Sequence, residues 1–216
     1  MAAIHLLCAA MAKILLTNQI APFPPLGIFL RLATAGQLVF CTHTPYIKQS
    51  IWNGYQVQGS NGPIRLSIPI KDSTWGKPLA SVMIDNNGRW QSEHFKTLQS
   101  CYARSPFWDY YAHNLQQLLA QDYSHLWHFA LASMTFCLST LQKSINVPTC
   151  RVLALGEPLD QENLHIIGHK KELDFSIPQD LDYDGVFGKK FDTQVSVLDA
   201  LFCEGPTFLA KFVAQH

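Results

Sequence analysis

The chain has 216 residues, of which 48% are hydrophobic and 15% are charged, so it can bury a core, and a disordered tail or a charged coiled coil is excluded. Its 16 basic and 16 acidic residues give a formal net charge of zero, which argues against a dedicated nucleic-acid-binding protein. A length of this order suits a single domain over residues 1–216, and no run of about 20 apolar residues predicts a transmembrane helix.

The six cysteines lie in apolar stretches, and no two of them form a C-x-x-C pair. This pattern favours reduced, buried thiols over a disulfide framework, and we therefore expect a cytoplasmic protein. Residues 1–12 lack the basic start of a signal peptide and are expected to form an N-terminal extension, with translation starting at Met1 or at Met11.

The first predicted elements alternate between strand and helix. A short apolar run predicts a buried strand at residues 13–17, and helical spacing predicts a helix at 26–35. A second apolar run predicts a strand at 37–41. Two strands joined by a helix within about 30 residues are typical of a parallel βαβ unit.

A β-hairpin and a helical segment are predicted next. Residues 55–70 alternate apolar and polar side chains around Asn61-Gly62, a strong turn dipeptide, which predicts the hairpin. Helical spacing of apolar residues predicts a helical lobe over residues 90–145, with helices at 90–103, 107–120 and 126–145. We therefore expect an α/β fold in which a mixed sheet has a parallel βαβ start and a hairpin and is joined by this helical lobe.

The remaining signals are shorter and more mixed. They predict strands at residues 81–84 and 151–155 and short helices at 195–202 and 207–213. Between residues 156 and 188 the pattern favours neither helix nor strand.

His94 is a candidate acid or base. It lies near the start of the first helix of the lobe, beside Glu93 and two residues before Lys96. A helix start can shift the pKa of a histidine and leave it able to exchange a proton near neutral pH. The alternative is that His94 occupies a solvated helix end and has no chemical role.

Polar residues after the first two strands form a second candidate site. Lys48 can hold a phosphate or a carboxylate, while Ser50 and Asn53 can bind hydroxyl groups. Gln19 follows the first strand, just before a stiff proline-rich loop. Because ligands of α/β proteins bind at the carboxyl ends of parallel strands, we expect these residues to converge with His94 around one cavity. The alternative is an ordinary polar loop.

Two histidine pairs have spacings that suit a metal on a helix. They are His125 with His128 and His165 with His169. Neither pair has a third ligand at a recognisable spacing, so we predict no metal site and leave the cofactor unknown. The chain also has no glycine-rich phosphate fingerprint, Walker loop, nucleophile elbow or zincin motif.

Segments along most of the chain resemble, in the same order, the WbqC-like protein family. The matching segments are Asn18-Gln19 before residues 23–29, Tyr46 to Ser50 with Asn53, residues 60–63 and 66–70, Trp90 with residues 94–98, Tyr102, residues 106–111, 186–188 and 198–206. Each segment is weak alone, and the ordered set carries the resemblance.

The resemblance implies an enzyme of surface polysaccharide or O-antigen biosynthesis that acts on an activated sugar or acyl donor. Its substrate would be a small molecule such as a sugar nucleotide. The alternative is a catalytically inactive protein that keeps the fold and binds a ligand or a partner. Transferred residue by residue, the catalytic candidates are His94 and Lys48, and the substrate-binding candidates are Gln19, Ser50, Asn53 and Lys96.

The chain departs from the family pattern at three positions. Members often carry an acidic residue where Thr42 stands, and arginines where Trp52 and Gly54 flank the matched asparagine. The loss of guanidinium groups is expected to weaken binding of a phosphate or carboxylate. We therefore expect either a different ligand or a loss of activity.

Overall fold

The structure, a computed structural model, describes residues 14–17, 21–33, 37–47, 50–71, 76–141, 149–152, 164–167, 185–187, 194–207 and 210–211. Helices and strands are mixed along these residues, which confirms the predicted class at that level. The strands are β1 (Ile14–Thr17), β2 (Gln37–Phe40), β3 (Gly54–Gly59), β4 (Gly62–Ser67), β5 (Thr149–Val152) and β6 (Leu164–Ile167). The helices are α1 (Leu26–Ala33), α2 (Trp90–Tyr102), α3 (Trp108–Ala120), α4 (Leu126–Leu141) and α5 (Val197–Cys203).

Strands β1, β2, β5 and β6 form one sheet in the spatial order β5-β2-β1-β6, and each neighbouring pair is parallel. Ile14 of β1 lies opposite Gln37 of β2 on one side and Leu164 of β6 on the other. Helix α1 separates β1 from β2 along the chain. Because neighbouring parallel strands end at the same edge, the chain leaves β1 and β2 at a shared carboxyl edge.

Strands β3 and β4 form an antiparallel hairpin, which confirms the prediction from the alternating pattern. Gly54 lies opposite Ser67, and Asn61 lies in the turn. Gly62 opens β4 with a φ of 132°, a conformation that favours glycine. The second strand ends at Ser67 rather than at residue 70, because Pro69 has no amide hydrogen to donate to the ladder.

Groups from outside the hairpin bind its outer edges. The Gln56 carbonyl of β3 accepts a hydrogen bond from the Ser196 amide (2.8 Å) just before α5. The Gln58 amide donates to the Tyr102 hydroxyl of α2 (3.0 Å). On β4, Pro63 has no amide hydrogen, so this position has no donor that needs a partner. The backbone of β3 is therefore bound along its outer edge by groups from α2 and from the residue before α5.

Helices α2, α3 and α4 begin within one residue of their predicted starts and share one apolar core with the hairpin. Phe23 of the proline-rich loop lies in this core, with its ring edge-on to Tyr55 (centroids 4.9 Å apart) and to Phe129 (5.9 Å). Its φ of 38° is unusual for a residue other than glycine. The Phe23 amide donates to the Ser133 hydroxyl of α4 (3.0 Å), so the loop is fixed against that helix.

Shorter elements differ from the sequence predictions. Leu79–Ser81 forms a 3-10 turn, and the strand expected at 81–84 is reduced to isolated bridges. Strand β5 begins two residues before its predicted start, and β6 was not predicted because its four residues lie in a region of mixed signals. The helix expected at 207–213 lies partly outside the described residues. Among the described helices, none has the length and apolarity that crossing a lipid bilayer requires.

Candidate functional site

The predicted site residues divide into two groups. Gln19 and Lys48 lie outside the described residues, so their predicted roles stay predictions. His94, Ser50, Asn53 and Lys96 are described, and their surroundings differ from one another.

His94 lies at the junction between helix α2 and the hairpin, and only 4% of its surface is exposed. Its Nε2 is 3.3 Å from the Ser67 carbonyl oxygen, and its Nδ1 is 3.2 Å from the Tyr55 hydroxyl. Since a carbonyl can only accept, Nε2–H is the donor, and Nδ1 accepts from the Tyr55 hydroxyl. The ring also packs edge-on against Trp90, with centroids 5.1 Å apart.

This burial determines the charge of His94. Desolvation lowers the pKa of the imidazole to about 4, and the hydrogen bond to the Ser67 carbonyl only partly opposes the shift. The sequence suggested either a group that exchanges a proton near neutral pH or a solvated helix end. Neither describes His94, because its side chain is buried and its pKa does not lie near neutrality. The contacts favour a neutral imidazole that joins α2 to the hairpin over a group that exchanges protons with a substrate.

Lys96 lies on the opposite side of α2 from His94. The two residues are two positions apart on α2, and a helix turns by about 100° per residue, so their side chains leave opposite sides of the helix. His94 is buried while Lys96 is exposed, as this geometry requires. The Lys96 side chain therefore leaves α2 on the side away from the buried junction.

The hydrogen bonds around β4 also separate His94 from Asn53. The Ser67 carbonyl accepts from His94, whereas the amide of the next residue, Ile68, donates to the Asn53 carbonyl (2.8 Å). The carbonyl and amide of one trans peptide point in opposite directions. His94 and the Asn53 backbone therefore lie on opposite edges of the end of β4, and the expected convergence of their side chains around one cavity stays a prediction.

A second polar region lies where the chain leaves β2 and enters β3. We call residues 42–47 and 50–53 the strand-end region. Its first segment is fixed by backbone hydrogen bonds from Ala80 to the Thr42 carbonyl (2.8 Å) and from Leu79 to the Thr44 carbonyl (3.0 Å). The rings of Tyr46 and Trp52, with centroids 6.0 Å apart, join it to the second segment.

Three side-chain atoms of the strand-end region are buried and have no hydrogen-bond partner among the described residues. They are His43 Nε2, Thr44 Oγ1 and Asn53 Oδ1. Most buried polar atoms in proteins are paired, so three in one region are unusual. Sequence reasoning selected Asn53 but did not select His43 or Thr44, although both lie within four residues of the end of β2.

Ser50 holds the backbone of the strand-end region. Its hydroxyl accepts from the Trp52 amide (3.3 Å) and so begins the 3-10 turn Ile51–Asn53. Its carbonyl accepts from Nη2 of Arg65 on β4 (2.7 Å). The Ser50 hydroxyl accepts in this contact, so its hydrogen is still available to donate. Its predicted role in binding a ligand hydroxyl stays a prediction.

Arg65 was not selected from the sequence, because it occupies a solvent-facing position of an alternating strand. A β-carbon at position 54 would lie 3.2 Å from Arg65 Nη2 and 2.6 Å from the Leu66 carbonyl oxygen. The Arg65 charge also lowers the pKa of Tyr46, although burial of that ring raises it more. The sequence analysis expected the guanidinium groups of the family arginines to be missing around Gly54. The neighbouring strand β4 nevertheless places the guanidinium group of Arg65 beside this glycine.

Asp199, a buried acidic residue, was also not selected from the sequence. Asp199 lies in the first turn of α5 and is 3% exposed. Burial and this carboxylate raise the pKa of the Tyr102 hydroxyl, which also accepts from the Gln58 amide. The same carboxylate helps to raise the pKa of the Cys101 and Cys203 thiols, behind the effect of burial. Asp199 thus belongs to the packing between α2 and α5.

The first histidine pair is close in space. The rings of His125 and His128 have centroids 5.5 Å apart, and burial followed by the His125 charge lowers the pKa of His128. Among the described residues, no group of three or more His, Cys, Asp or Glu side chains is placed to hold a metal ion. His165 lies in β6, and His169 lies outside the described residues.

The family model described as the WbqC-like protein family matches residues 19–174, which is more than half of the chain. The chain belongs to the WbqC-like protein family. The match includes the strand-end region, the hairpin and helices α2 to α4 of this family member, and it confirms the resemblance inferred from the ordered segments. No curated protein and no solved structure matches the chain.

Proposed function

We propose that this family member is an enzyme of surface polysaccharide biosynthesis that binds an activated sugar or acyl donor in the strand-end region. Family membership supports the general assignment, and the site supports the choice of region. The observation that carries the proposal is the presence of three buried, unpartnered polar atoms of described residues after β2 and before β3.

The energetic cost of these atoms supports binding. Each buried polar atom that lacks a partner costs about 1–3 kcal/mol, a cost that a bound ligand removes by supplying hydrogen bonds. Asn53 Oδ1 accepts, the Thr44 hydroxyl donates or accepts, and the His43 ring nitrogen does either according to its tautomer. This combination suits the hydroxyl and amide groups of a sugar.

The position of the region supports the same proposal. The chain reaches it from the end of β2, at the carboxyl edge of a sheet whose described pairs are parallel. Ligands of open α/β sheets bind at this edge. Lys48 lies between the two segments in the sequence, and we propose that it adds positive charge there. His43, which is partly exposed, replaces His94 as the candidate for proton transfer.

Ligand binding by the full chain tests the proposal. Isothermal titration with UDP-glucose, UDP and acetyl-CoA is expected to reveal a ligand, and Asn53→Ala is expected to weaken it about tenfold through the loss of one buried hydrogen bond. Asn87→Ala, an exposed position in the turn before α2, is the matched control and should bind as the wild type does. A ligand that both variants bind equally well would place the site elsewhere.

The second candidate function is a ligand-binding protein without catalysis. The buried, neutral state of His94 favours it, because a predicted catalytic group then takes part in packing instead. Incubation with a donor that binds, followed by chromatography of the products, distinguishes the two functions. Consumption of the donor that His43→Gln abolishes supports the enzyme, and an unchanged donor supports the binding protein.

A further inference from the structure

We propose that Arg65 binds an anionic group of the ligand in the strand-end region, so that the ligand carries a phosphate or a carboxylate. This inference rests on the proposed function and adds to it the charge of the ligand and a residue that recognises it. Arg65 lies on β4, outside the two segments that define the region.

The contact that orients Arg65 does not neutralise it. Nη2 donates to the Ser50 carbonyl oxygen over 2.7 Å, and a carbonyl carries no formal charge. No carboxylate of the described residues forms an ion pair with Arg65. Since a guanidinium group has five N–H donors, the anchored side chain still has donors and a full charge to offer to an anion.

The position of the guanidinium depends on Gly54. The φ of Gly54 is 176°, which is extended backbone that any residue adopts, so the glycine is not required by its conformation. Its absent side chain leaves space, because a β-carbon would lie 3.2 Å from Arg65 Nη2. Gly54 thus allows an arginine on the neighbouring strand to reach the Ser50 carbonyl.

The surroundings of Arg65 connect it to the proposed site. Its charge lowers the pKa of Tyr46, which packs against Trp52, and its anchor Ser50 begins the turn that carries Asn53. The Arg65 side chain is exposed, so an anion can approach it from solvent. A guanidinium group binds the two oxygens of a phosphate or a carboxylate in a bidentate manner, which the compact charge of a lysine does not reproduce.

The test compares variants of Arg65 with a control that loses the same charge elsewhere. Isothermal titration of the full chain with UDP and UDP-glucose tests a phosphate, and titration with glucuronate tests a carboxylate. We expect Arg65→Gln to weaken the anion that binds by about tenfold or more and Arg65→Lys to restore part of the affinity. Arg89→Gln, an exposed position next to the start of α2, should leave the affinity unchanged.

A second measurement excludes a purely structural effect. Removal of one ion-pairing charge should reduce the dependence of affinity on salt for Arg65→Gln, whereas a packing defect would leave that dependence unchanged. The melting temperature of the free variant shows whether it is folded. If Arg65→Gln is not folded, the affinity of Arg65→Lys is compared with that of the wild type instead. This variant keeps the charge but cannot bind an anion in a bidentate manner.

The outcomes separate this inference from the proposed function. Binding that Asn53→Ala weakens and Arg65→Gln does not would overturn the role of Arg65 and leave the proposed site in place. Binding of neutral N-acetylglucosamine without binding of any anionic probe would do the same. If neither the anionic probes, nor acetyl-CoA, nor the neutral sugar binds to the wild type, both proposals are wrong.

Discussion

The junction around His94 and the strand-end region both bury polar groups, but the two regions differ in whether these groups have hydrogen-bond partners. At the junction, both ring nitrogens of His94 are paired, one with the Tyr55 hydroxyl and the other with the Ser67 carbonyl. In the strand-end region, buried atoms of His43 and Thr44 have no partner among the described residues. A paired polar group in a core stabilises the fold, whereas unpaired groups at a sheet edge are available to a ligand.

The two regions also differ in charge. Burial keeps His94 neutral, while Arg65 keeps its charge because a neutral carbonyl orients it. Residue type alone suggests the opposite, since a histidine near a helix start is typical of proton transfer and an arginine on an outer strand is typical of a solvated surface. Four measurements test whether the two regions differ in this way.

The largest expected effect is the loss of stability in His94→Ala. This substitution leaves the Tyr55 hydroxyl and the Ser67 carbonyl without their partner and opens a cavity beside Trp90. We expect the free energy of unfolding to fall by about 4 kcal/mol, measured by urea denaturation. The exposed His128→Ala is the control and should change it by about 0.5 kcal/mol or less. Similar losses for the two variants would contradict the structural role of His94.

The second effect is a dependence of stability on pH. The pKa of His94 falls from 6.5 in the unfolded chain to about 4 in the folded chain, so between these values the unfolded chain binds more protons. The stabilisation is complete above pH 6.5, decreases as the pH falls towards about 4 and is constant below that. Between neutral pH and about pH 4 the wild type should lose about 3 kcal/mol more than His94→Gln, which does not titrate. Parallel curves of unfolding free energy against pH would show that burial does not depress the pKa.

The third effect concerns the base of the hairpin. In Gly54→Ala the new β-carbon meets the backbone oxygen of Leu66 at 2.6 Å, which a backbone shift must relieve. We expect a loss of about 2 kcal/mol of unfolding free energy, measured by urea denaturation. A β-carbon at Gly88 meets no atom within 4 Å, so Gly88→Ala is the matched control. If Gly54→Ala is as stable as Gly88→Ala, the strands are not held at this spacing.

The smallest effect has the most informative sign. Thr44→Val removes a buried hydroxyl that has no partner among the described residues, so the free protein should gain about 1 kcal/mol of stability. Thr140→Val removes a hydroxyl that donates to the Cys137 carbonyl over 2.6 Å and should lose about 1 kcal/mol. Thermal denaturation of both variants measures the difference. A loss in Thr44→Val would mean that its hydroxyl is already paired in the free protein.

The parts of the fold that local patterns determine were predictable from the sequence. The hairpin follows from side-chain alternation around Asn61-Gly62, and helices α2 to α4 follow from apolar side chains at helical spacing. Strand β6 was not predictable, because His165 interrupts its short apolar run and the signals around it are mixed.

The site was less predictable, because burial and register are tertiary properties. His94 is buried only because Trp90 and Tyr55 meet around it, and the sequence does not show that contact. Arg65 reaches Ser50 only because the hairpin register places it next to Gly54. Membership of the WbqC-like family was predictable, because it depends on a set of ordered segments and not on the role of any one residue.

The edges of the hairpin have a consequence for behaviour at high concentration. An exposed strand edge is a template for pairing with another copy of a chain, and such pairing leads to aggregation. Here the Ser196 amide and the Tyr102 hydroxyl occupy backbone positions of β3 that an incoming strand would need. Across the hairpin, His94 occupies the Ser67 carbonyl. The contacts that assemble the core therefore also protect a two-stranded sheet against intermolecular β-pairing.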